Sequence, residues 1–171
     1  IQVFLLFEDI NVKKLEDLQT QSDATTDPLT GALNRKAFLK KLEYLIGTQK
    51  KGTLGALMLM DVDNFKKVND TFGHGLGDQA LVDIYASIKG SVRNADLVCR
   101  FGGDEFIVYL ADLPSREIAC RKAEQICNAA QKDFEQNVQI SMSIGVVICP
   151  EDGNTFAELY RKADKALYTV K

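Results

Sequence analysis

The sequence has few of the residues that build zinc sites and disulfide scaffolds. Its 171 residues include one histidine and four cysteines, and no two cysteines are spaced as CxxC. A zinc site needs several such ligands close together, and a disulfide scaffold is typical of much shorter secreted chains, so the sequence argues against both. We expect the cysteines to be reduced and mostly buried, which favours a cytoplasmic location. They are Cys99, Cys120, Cys127 and Cys149.

The sequence also lacks a long apolar run and an excess of positive charge. Crossing a bilayer takes about 18 apolar residues. The apolar run at residues 1–7 is shorter and lacks the basic flank of a signal peptide. The net charge of −3 creates no general field that attracts nucleic acid or an acidic membrane. We therefore expect no nucleic-acid partner and no membrane contact by this segment, although upstream segments could anchor a longer protein.

The first residues are expected to precede the main domain. Their pattern predicts a strand over 1–10 and a helix over 11–22, and Pro28 disfavours any continuation of the helix. We interpret residues 1–23 as the end of an upstream domain with a helical linker, and residues 24–171 as the main domain. The sequence begins without Met and ends inside a helical pattern, as expected for a piece of a longer protein.

From residue 34 onward the hydrophobic periodicity predicts a series of helices and strands. The expected elements are a helix over 34–46, a strand over 54–60, a helix over 75–90, strands over 96–101 and 105–110, a helix over 115–132, a strand over 138–148 and a final helix. Thr155 and Glu158 form the capping-box pattern that opens this final helix. The order is that of a ferredoxin-like βαββαβ fold of the α+β class with added helices, a topology that does not by itself identify a function.

Two groups of acidic residues follow predicted strands. Asp61 and Asp63 come after the central apolar strand, and Asp104 and Glu105 come at a predicted glycine hairpin. If the hairpin lies beside the central strand, Asp61 and Asp104 converge at one end of the sheet, where their charges repel unless a cation lies between them. Magnesium fits, because it takes one or two protein carboxylates and leaves positions for phosphate oxygens. The alternative is that these acids are turn and cap residues that face water.

The residues after the first acidic group suit a nucleotide. Backbone amides near Asn64 and Phe65, at the start of a short helix, form an anion site, with Lys66 beside them. Asp78 and Asn69 could hydrogen-bond a base edge. A carboxylate that accepts from N1–H and the exocyclic amine is complementary to guanine and mismatched to adenine. The pattern therefore favours a guanine nucleotide.

A glycine-rich stretch over 73–78 opens the next predicted helix. Its spacing does not match a dinucleotide-binding fingerprint, and no strand precedes it. We expect its glycines to let a ligand approach the backbone closely. His74, the only histidine, is interpreted as a structural hydrogen-bonding residue rather than a catalyst.

These motifs, in this order, make the sequence similar to one family. The stretch RFGGDEF, from Arg100 to Phe106, resembles the signature of the GGDEF family, the diguanylate cyclases. Other segments resemble further motifs of that family at its spacing: DPLTG with Asn34-Arg35, DVDNFK with Asn69-Asp70, Gly73-His74 with Gly77-Asp78, SIG at 143–145, and the closing helix with Lys171. The resemblance covers about residues 24–171.

The resemblance implies a palm-like βαββαβ core and a reaction in which two GTP molecules condense to cyclic di-GMP and two pyrophosphates. Mg²⁺, or Mn²⁺ in its place, would be held by Asp61, the Val62 carbonyl and Asp104. Glu105 would be a further ligand or would help to deprotonate the attacking 3′-hydroxyl. Lys66, counted with the catalytic residues, would hold the β- and γ-phosphates.

The resemblance also assigns the substrate contacts. Asn69 and Asp78 would read the guanine base. The phosphates would contact the amides near Asn64 and Phe65 together with Lys66 and Lys171. The remaining members of the substrate site are His74, Arg100, Gly102 and Gly103.

Dimerisation and feedback follow from the same resemblance. Each domain would bind one GTP, so the reacting hydroxyl and phosphate would come from two facing subunits, and turnover would require a homodimer. Arg93 and Asp96 resemble the family's RxxD inhibitory site for cyclic di-GMP, where arginine would pair with product phosphate or guanine and aspartate would accept from guanine. The alternative is an arginine favoured by a helix C-terminus and followed by a turn.

Two further interpretations concern activity and context. A GGDEF-like domain can act as a regulatory receptor that holds GTP or cyclic di-GMP without turnover. Degenerate members usually lose the hairpin acids or the first metal aspartate, whereas Asp61, Asp104 and Glu105 are all present here. Residues 7–14 resemble the last strand and exit of PAS sensor domains, which implies an upstream sensor; an unrelated linker is the alternative.

Overall fold

A computed structural model describes residues 25–134 and 138–170, so the expected linker 1–23 and Lys171 lie outside the described residues. The first described helix, α1, spans Arg35–Gly47. It begins there because the Asn34 side chain accepts a hydrogen bond from the Ala37 amide (2.9 Å), which satisfies one of the unpaired donors at the helix start. The helix predicted over 34–46 is confirmed.

A five-stranded antiparallel sheet forms the centre of the domain. Its strands are β1 (Leu54–Asp63), β2 (Leu97–Gly102), β3 (Glu105–Leu113), β4 (Lys132–Phe134) and β5 (Val138–Cys149). Their order across the sheet is β2-β3-β1-β5-β4. β1 continues through Asp63 rather than ending at residue 60, because Asp61 still pairs with both neighbours and Val62 and Asp63 still pair with β5. The short edge strand β4 was not predicted, since three residues carry no usable periodicity.

Helices cover both faces of this sheet. They are α2 (Phe65–Phe72), α3 (His74–Ser91), α4 (Arg116–Ala130) and α5 (Phe156–Val170). Met58 and Met60 of β1 point into one core with α3 and α4, and Leu57 and Leu59 point into the other with α1 and α5. A strand buried on both faces reads as a continuous apolar run. The predicted ferredoxin-like α+β fold is therefore confirmed.

Strand β5 is buried on both of its faces near its end. Its apolar residues alternate and give one strongly apolar face, and Val147 and Cys149 on the opposite face are also buried, against α5. A Cβ added at Gly145 would lie 2.2 Å from the Ala163 carbonyl oxygen. Helix α5 can therefore approach β5 only because position 145 has no side chain.

The structure also tests two local predictions, the capping box at the start of α5 and the mostly buried, reduced cysteines. The Glu158 amide donates to Thr155 Oγ1 (3.3 Å) and the Thr155 amide donates to Glu158 Oε2 (3.2 Å), which confirms the capping box. All of the cysteines are free thiols; Cys99 and Cys149 are buried, Cys127 is half-buried and Cys120 is exposed.

No helix among the described residues has the length and apolar character needed to span a membrane.

Candidate functional site

The acidic end of the sheet forms where β1 and β3 pair. Asp61 lies directly opposite Glu105, and the Val62 amide donates a hydrogen bond to the backbone oxygen of Asp104 (3.3 Å). Residues directly opposite in an antiparallel pair share a face, with Cβ atoms about 4.5–5.5 Å apart. The structure thus brings the two predicted acidic groups to one place, on the face of the sheet that α5 covers.

The hairpin that carries Asp104 and Glu105 is held under α5 by aromatic packing. The ring of Phe101 lies 5.5 Å from that of Tyr160, centroid to centroid, and the Arg35 guanidinium lies 4.5 Å above the Phe101 ring. Burial, and after it the negative charge of Glu105, raises the pKa of Tyr160. The effect of Glu105 on a tyrosine of α5 agrees with its place on the α5 side of the sheet.

The donors at this end suit a hard divalent cation. Carboxylate oxygens from two adjacent strands and the nearby Val62 carbonyl are the ligand types that Mg²⁺ prefers. Within residues 25–134 and 138–170, no three or more His, Cys, Asp or Glu side chains are grouped so that they could hold a metal by themselves. Protein donors here would need completion by substrate oxygens, which fits an ion that keeps several positions for phosphate and water.

The turn after β1 directs the chain into α2 through an uncommon backbone conformation. Asn64 has φ 62° and ψ 11°, in the left-handed region that few residues other than glycine adopt. Its side chain makes no capping hydrogen bond to α2 and instead donates to the Gln139 carbonyl (3.1 Å). The first-turn amides of α2, starting at Phe65, are therefore not occupied by this cap, and the exposed Lys66 lies in the same turn.

Asn69 lies where α2 packs against the start of α3. Its Oδ1 atom is buried and, among the described residues, has no hydrogen-bond partner. A Cβ added at Gly77 would lie 1.9 Å from that atom. The sequence suggested that these glycines admit a ligand to the backbone, which stays a prediction; at Gly77 the missing side chain also makes room for Asn69. Asn69 thereby comes next to the residue that precedes Asp78.

Three predicted substrate residues lie on the outer side of α2 and α3. Lys66, His74 and Asp78 are all exposed. His74 is the first residue of α3, and Gly73 before it has φ 84°, a conformation that allows the abrupt change of direction between the two helices. The structure thus places these three side chains near one another along the chain and accessible to a solute, and their contact with a nucleotide stays a prediction.

Arg100 is bonded to protein groups on both sides. Its Nε donates to the Gly103 carbonyl (2.9 Å), and its Nη1 lies 3.2 Å from Asp27 Oδ1. Asp27 also accepts from the amide and hydroxyl of Thr30 (2.9 and 2.7 Å). Arg100 therefore links the DPLTG turn to the glycine hairpin, Gly102 and Gly103 being exposed there. The role of Asp27 was missed, although its position in a quoted motif was a usable signal.

Burial and hydrogen bonding have opposite effects on the pKa of Asp27. Burial raises the pKa of this carboxyl, but the hydrogen bonds from Thr30 and Arg100 outweigh it and bring the pKa below its ordinary value. The carboxylate is therefore charged whenever the domain is folded near neutral pH.

Arg93 and Asp96 form a tight pair before β2. Asp96 Oδ2 accepts from the Arg93 amide and Nε (2.8 and 3.3 Å), and Oδ1 accepts from Arg93 Nη2 and the Ala111 amide (3.1 and 3.3 Å). The side chain of Asp96 is 2% exposed and that of Arg93 is 56% exposed. In this arrangement both oxygens of Asp96 are already used by protein donors, while Arg93 faces solvent.

The hydrogen bonds of Asp63 indicate a different role from the metal binding predicted for Asp61. Two serine hydroxyls of β5 donate to it: Ser141 to Oδ2 (2.9 Å) and Ser143 to Oδ1 and Oδ2 (2.9 and 3.0 Å). The sequence grouped Asp63 with the possible metal acids, and these bonds were not foreseen. The available signal was polar residues at alternate positions of an otherwise apolar strand.

Comparison with known proteins gives the site its context. The family model for the diguanylate cyclase GGDEF domain matches residues 24–171. "Probable diguanylate cyclase DgcT" of Escherichia coli (strain K12) is 39% identical over 158 residues, which cover 89% of this chain and 34% of that protein. The chain spans about a third of the length of such curated relatives.

Solved structures agree with this match. The GGDEF domain of TpbB (YfiN) from Pseudomonas aeruginosa is 37% identical, with a TM-score of 0.78 over 85% of this chain and 88% of that one. The coiled coil and GGDEF domain of DgcB from Caulobacter crescentus, solved in complex with c-di-GMP, is 27% identical, with a TM-score of 0.74 over 98% and 92% of the two chains. This chain therefore belongs to the GGDEF family of diguanylate cyclase domains.

Proposed function

We propose that this domain condenses two GTP molecules into cyclic di-GMP and releases two pyrophosphates. The observation that carries the proposal is the pairing of Asp61 with Glu105 and of Val62 with Asp104, which gathers oxygen donors where β1 leaves the core. Membership of the GGDEF family supports a reaction in cyclic di-GMP metabolism.

The acidic end is assigned to hold Mg²⁺, with Mn²⁺ as a substitute. Asp61, the Val62 carbonyl and Asp104 are the proposed protein donors, with Glu105 beside them. A bound divalent cation supplies charge neutralisation at the α-phosphate and favours ionisation of the attacking hydroxyl. Two carboxylates facing each other across neighbouring strands destabilise the pair, so these residues favour cation binding on electrostatic grounds.

The protein residues position GTP and take part in proton transfer. The first-turn amides of α2, with Lys66 and Lys171, hold the β- and γ-phosphates. Asp78 accepts from the guanine N1–H and exocyclic amine, and Asn69 contacts the same base. The 3′-oxygen of each GTP forms a bond to the α-phosphorus of the other, each bond to pyrophosphate breaks, and each hydroxyl proton passes to the Glu105 carboxylate of a domain or to water.

Turnover by this route needs two domains. Each domain carries one acidic end, so the hydroxyl and the phosphate that react belong to nucleotides on facing subunits. A homodimer is therefore the proposed active form. An upstream sensor that controls dimerisation is part of the proposal for the longer protein.

We assign product inhibition to Arg93 and Asp96, with roles that differ from those predicted from the sequence. Because Asp96 is buried and fully used by Arg93 and Ala111, we assign the contact with cyclic di-GMP to Arg93 and the positioning of Arg93 to Asp96. This differs from the expectation that the aspartate accepts directly from guanine. The product complex of the related DgcB domain shows that a GGDEF domain of this fold can bind cyclic di-GMP.

One assay tests the proposal directly. The protein, dimerised through a fused coiled coil, is incubated with GTP and Mg²⁺, and pyrophosphate release is measured together with product mass; ATP serves as the control substrate. We expect pyrophosphate and cyclic di-GMP from GTP and no pyrophosphate from ATP. Asp104→Asn is expected to abolish the reaction while keeping the fold. If the dimerised protein binds GTP without forming product, the alternative of a silent receptor replaces the cyclase.

A further inference from the structure

The segment that carries the proposed metal and phosphate contacts is attached to β5 by a row of hydrogen bonds. Ser143 and Ser141 donate to the Asp63 carboxylate, and the Asn64 amide group donates to the Gln139 carbonyl (3.1 Å). Residues 139, 141 and 143 are alternate positions of one strand. Two consecutive residues after the proposed metal ligands are therefore fixed to the same edge of β5.

Asp63 is suited to this attachment and poorly suited to bind a cation. Both of its oxygens accept from hydroxyls at 2.9–3.0 Å, and the Ser143 donor is itself buried, with 8% of its surface exposed. These contacts occupy most of the lone-pair positions of the carboxylate and point it at β5, so a cation would have to share the remaining positions with the two hydroxyls. Ser143 is the direct cross-strand neighbour of Asp61, yet its hydroxyl lies at Asp63.

The attachment also maintains a backbone that is unfavourable by itself. A residue other than glycine in the left-handed region costs about 1–3 kcal/mol unless its surroundings stabilise it. Asn64, at φ 62°, has such surroundings: Asp63 is fixed on one side of it and its own side chain is bonded to Gln139. This turn sets the direction in which α2 begins, and hence where its first amides point.

On this basis we propose that Asp63, held by Ser141 and Ser143, is a positioning residue that fixes residues 61–66 for GTP and its cation without binding either. The inference rests on the proposed function for its consequence in catalysis. Its structural part, that the two serines keep this segment in place, stands without it.

The test removes the hydroxyls and leaves the proposed ligands intact. The variant is Ser141→Ala with Ser143→Ala, and each single variant guards against failure to fold. The matched control is Thr53→Val, because the Thr53 hydroxyl donates to the Asp112 carboxylate (3.1 Å) at the opposite end of β1. Ser143→Thr retains a hydroxyl and serves as the conservative rescue.

Three measurements are made on each protein. Hydrogen–deuterium exchange without ligand reports the order of residues 61–66, calorimetry reports the affinity for a non-hydrolysable GTP analogue with Mg²⁺, and steady-state assays report kcat and KM. In the double variant we expect exchange of this segment to speed up by about tenfold and kcat to fall by roughly 10- to 100-fold, with weaker analogue binding. The control is expected to match the wild type in all three, and Ser143→Thr to recover part of the loss.

The outcomes separate the two proposals. Unchanged exchange of residues 61–66 in the double variant, or an equal change in Thr53→Val, overturns the positioning role whatever the activity. Absence of cyclic di-GMP from the dimerised wild type overturns the proposed cyclase, while faster exchange in the double variant still supports the attachment. Faster exchange with unchanged analogue binding and unchanged kcat confines Asp63 to a structural role and overturns the inference.

Discussion

Two arginine–aspartate pairs lie at the start and near the end of strand β2, and burial is unequal within the first pair and nearly equal within the second. Before the strand, Asp96 is buried and Arg93 is 56% exposed. Near its end, the side chains of Arg100 and Asp27 are 16% and 19% exposed. In the first pair, the buried Asp96 holds Arg93, whose side chain faces solvent. In the second pair, Arg100 connects the DPLTG turn to the glycine hairpin.

This difference in exposure indicates two possible roles for an arginine in a sequence motif, which are to contact a ligand or to connect parts of the protein. Arg93 has surface left to contact a ligand, and its bonds to Asp96 restrict its movement, which reduces the entropy lost on binding. Arg100 is less exposed, and its Nε and Nη1 donate to Gly103 and Asp27, so we expect it to affect the substrate through the hairpin that it fixes. The sequence assigned both arginines to ligand sites, and both assignments stay predictions; the larger exposure of Arg93 leaves more of its side chain accessible to a ligand.

Replacing Arg100 by alanine should have the largest effect. Arg100→Ala removes the bond to the Gly103 carbonyl and leaves Asp27 without its cation, so the hairpin with Asp104 and Glu105 loses its attachment to the DPLTG turn. We expect kcat of the dimerised protein to fall roughly 100-fold, as small displacements at a reacting site do. Steady-state pyrophosphate release measures this. A loss no greater than that in Arg93→Ala would remove the distinction between the two pairs.

Replacing Asp96 should lower stability more than replacing its partner. Asp96→Ala leaves the partly buried Arg93 and Ala111 amides without their acceptor, and an unsatisfied buried group costs about 1–3 kcal/mol. Urea unfolding gives the change in the free energy of unfolding. Asp96→Asn, which keeps one acceptor oxygen, should lose less. Equal stability of Asp96→Ala and the wild type would contradict the anchoring role.

Replacing Arg93 should act on feedback. Arg93→Ala is expected to raise the concentration of cyclic di-GMP needed for half-inhibition by about tenfold or more, the loss typical of a charged hydrogen bond. Its effect on kcat should be far smaller than that of Arg100→Ala. Inhibition curves for the two variants, measured together, provide the comparison. Unchanged inhibition in Arg93→Ala would place the product site elsewhere.

The smallest effect concerns pH and the second pair. Because the folded-state pKa of Asp27 lies below its ordinary value of 3.8, its contribution to stability is fully present above that value and is lost as the pH falls through the lower folded-state pKa. The free energy of unfolding of the wild type should therefore exceed that of Asp27→Asn by a constant amount from pH 7 to 5. The difference should shrink below about pH 4. A difference that grows on acidification would contradict the sign of this shift.

Much of the fold followed from local patterns. The apolar run before Asp61 predicted a central strand, the glycine hairpin predicted its neighbour, and Thr155 with Glu158 marked the start of α5. These features depend on periodicity or on residues within one turn of each other, which the sequence displays directly. Strand β4 and the extension of β1 through Asp63 were not predicted, because both depend on pairing with a distant segment, β5.

The candidate site divides in the same way. Residue types and spacing indicated that Asp61, Asp104 and Glu105 belong together, and the register of β1 and β3 brings them into one place. The donors to Asp63, the contact of Gly77 with Asn69 and the occupation of Asp96 by protein amides were not readable. Each joins residues that are far apart in the chain or on different elements, at distances set by packing.

The sequence by itself determined the family, the order of the elements and the chemical character of the acidic end, because these are written in residue types and short-range spacing. Only the tertiary structure decided which acid is anchored by hydroxyls, which arginine faces solvent and which glycine makes room for a neighbour. Those outcomes depend on strand register and on how closely helices approach the sheet. Both are properties of the whole packed domain and of no single segment.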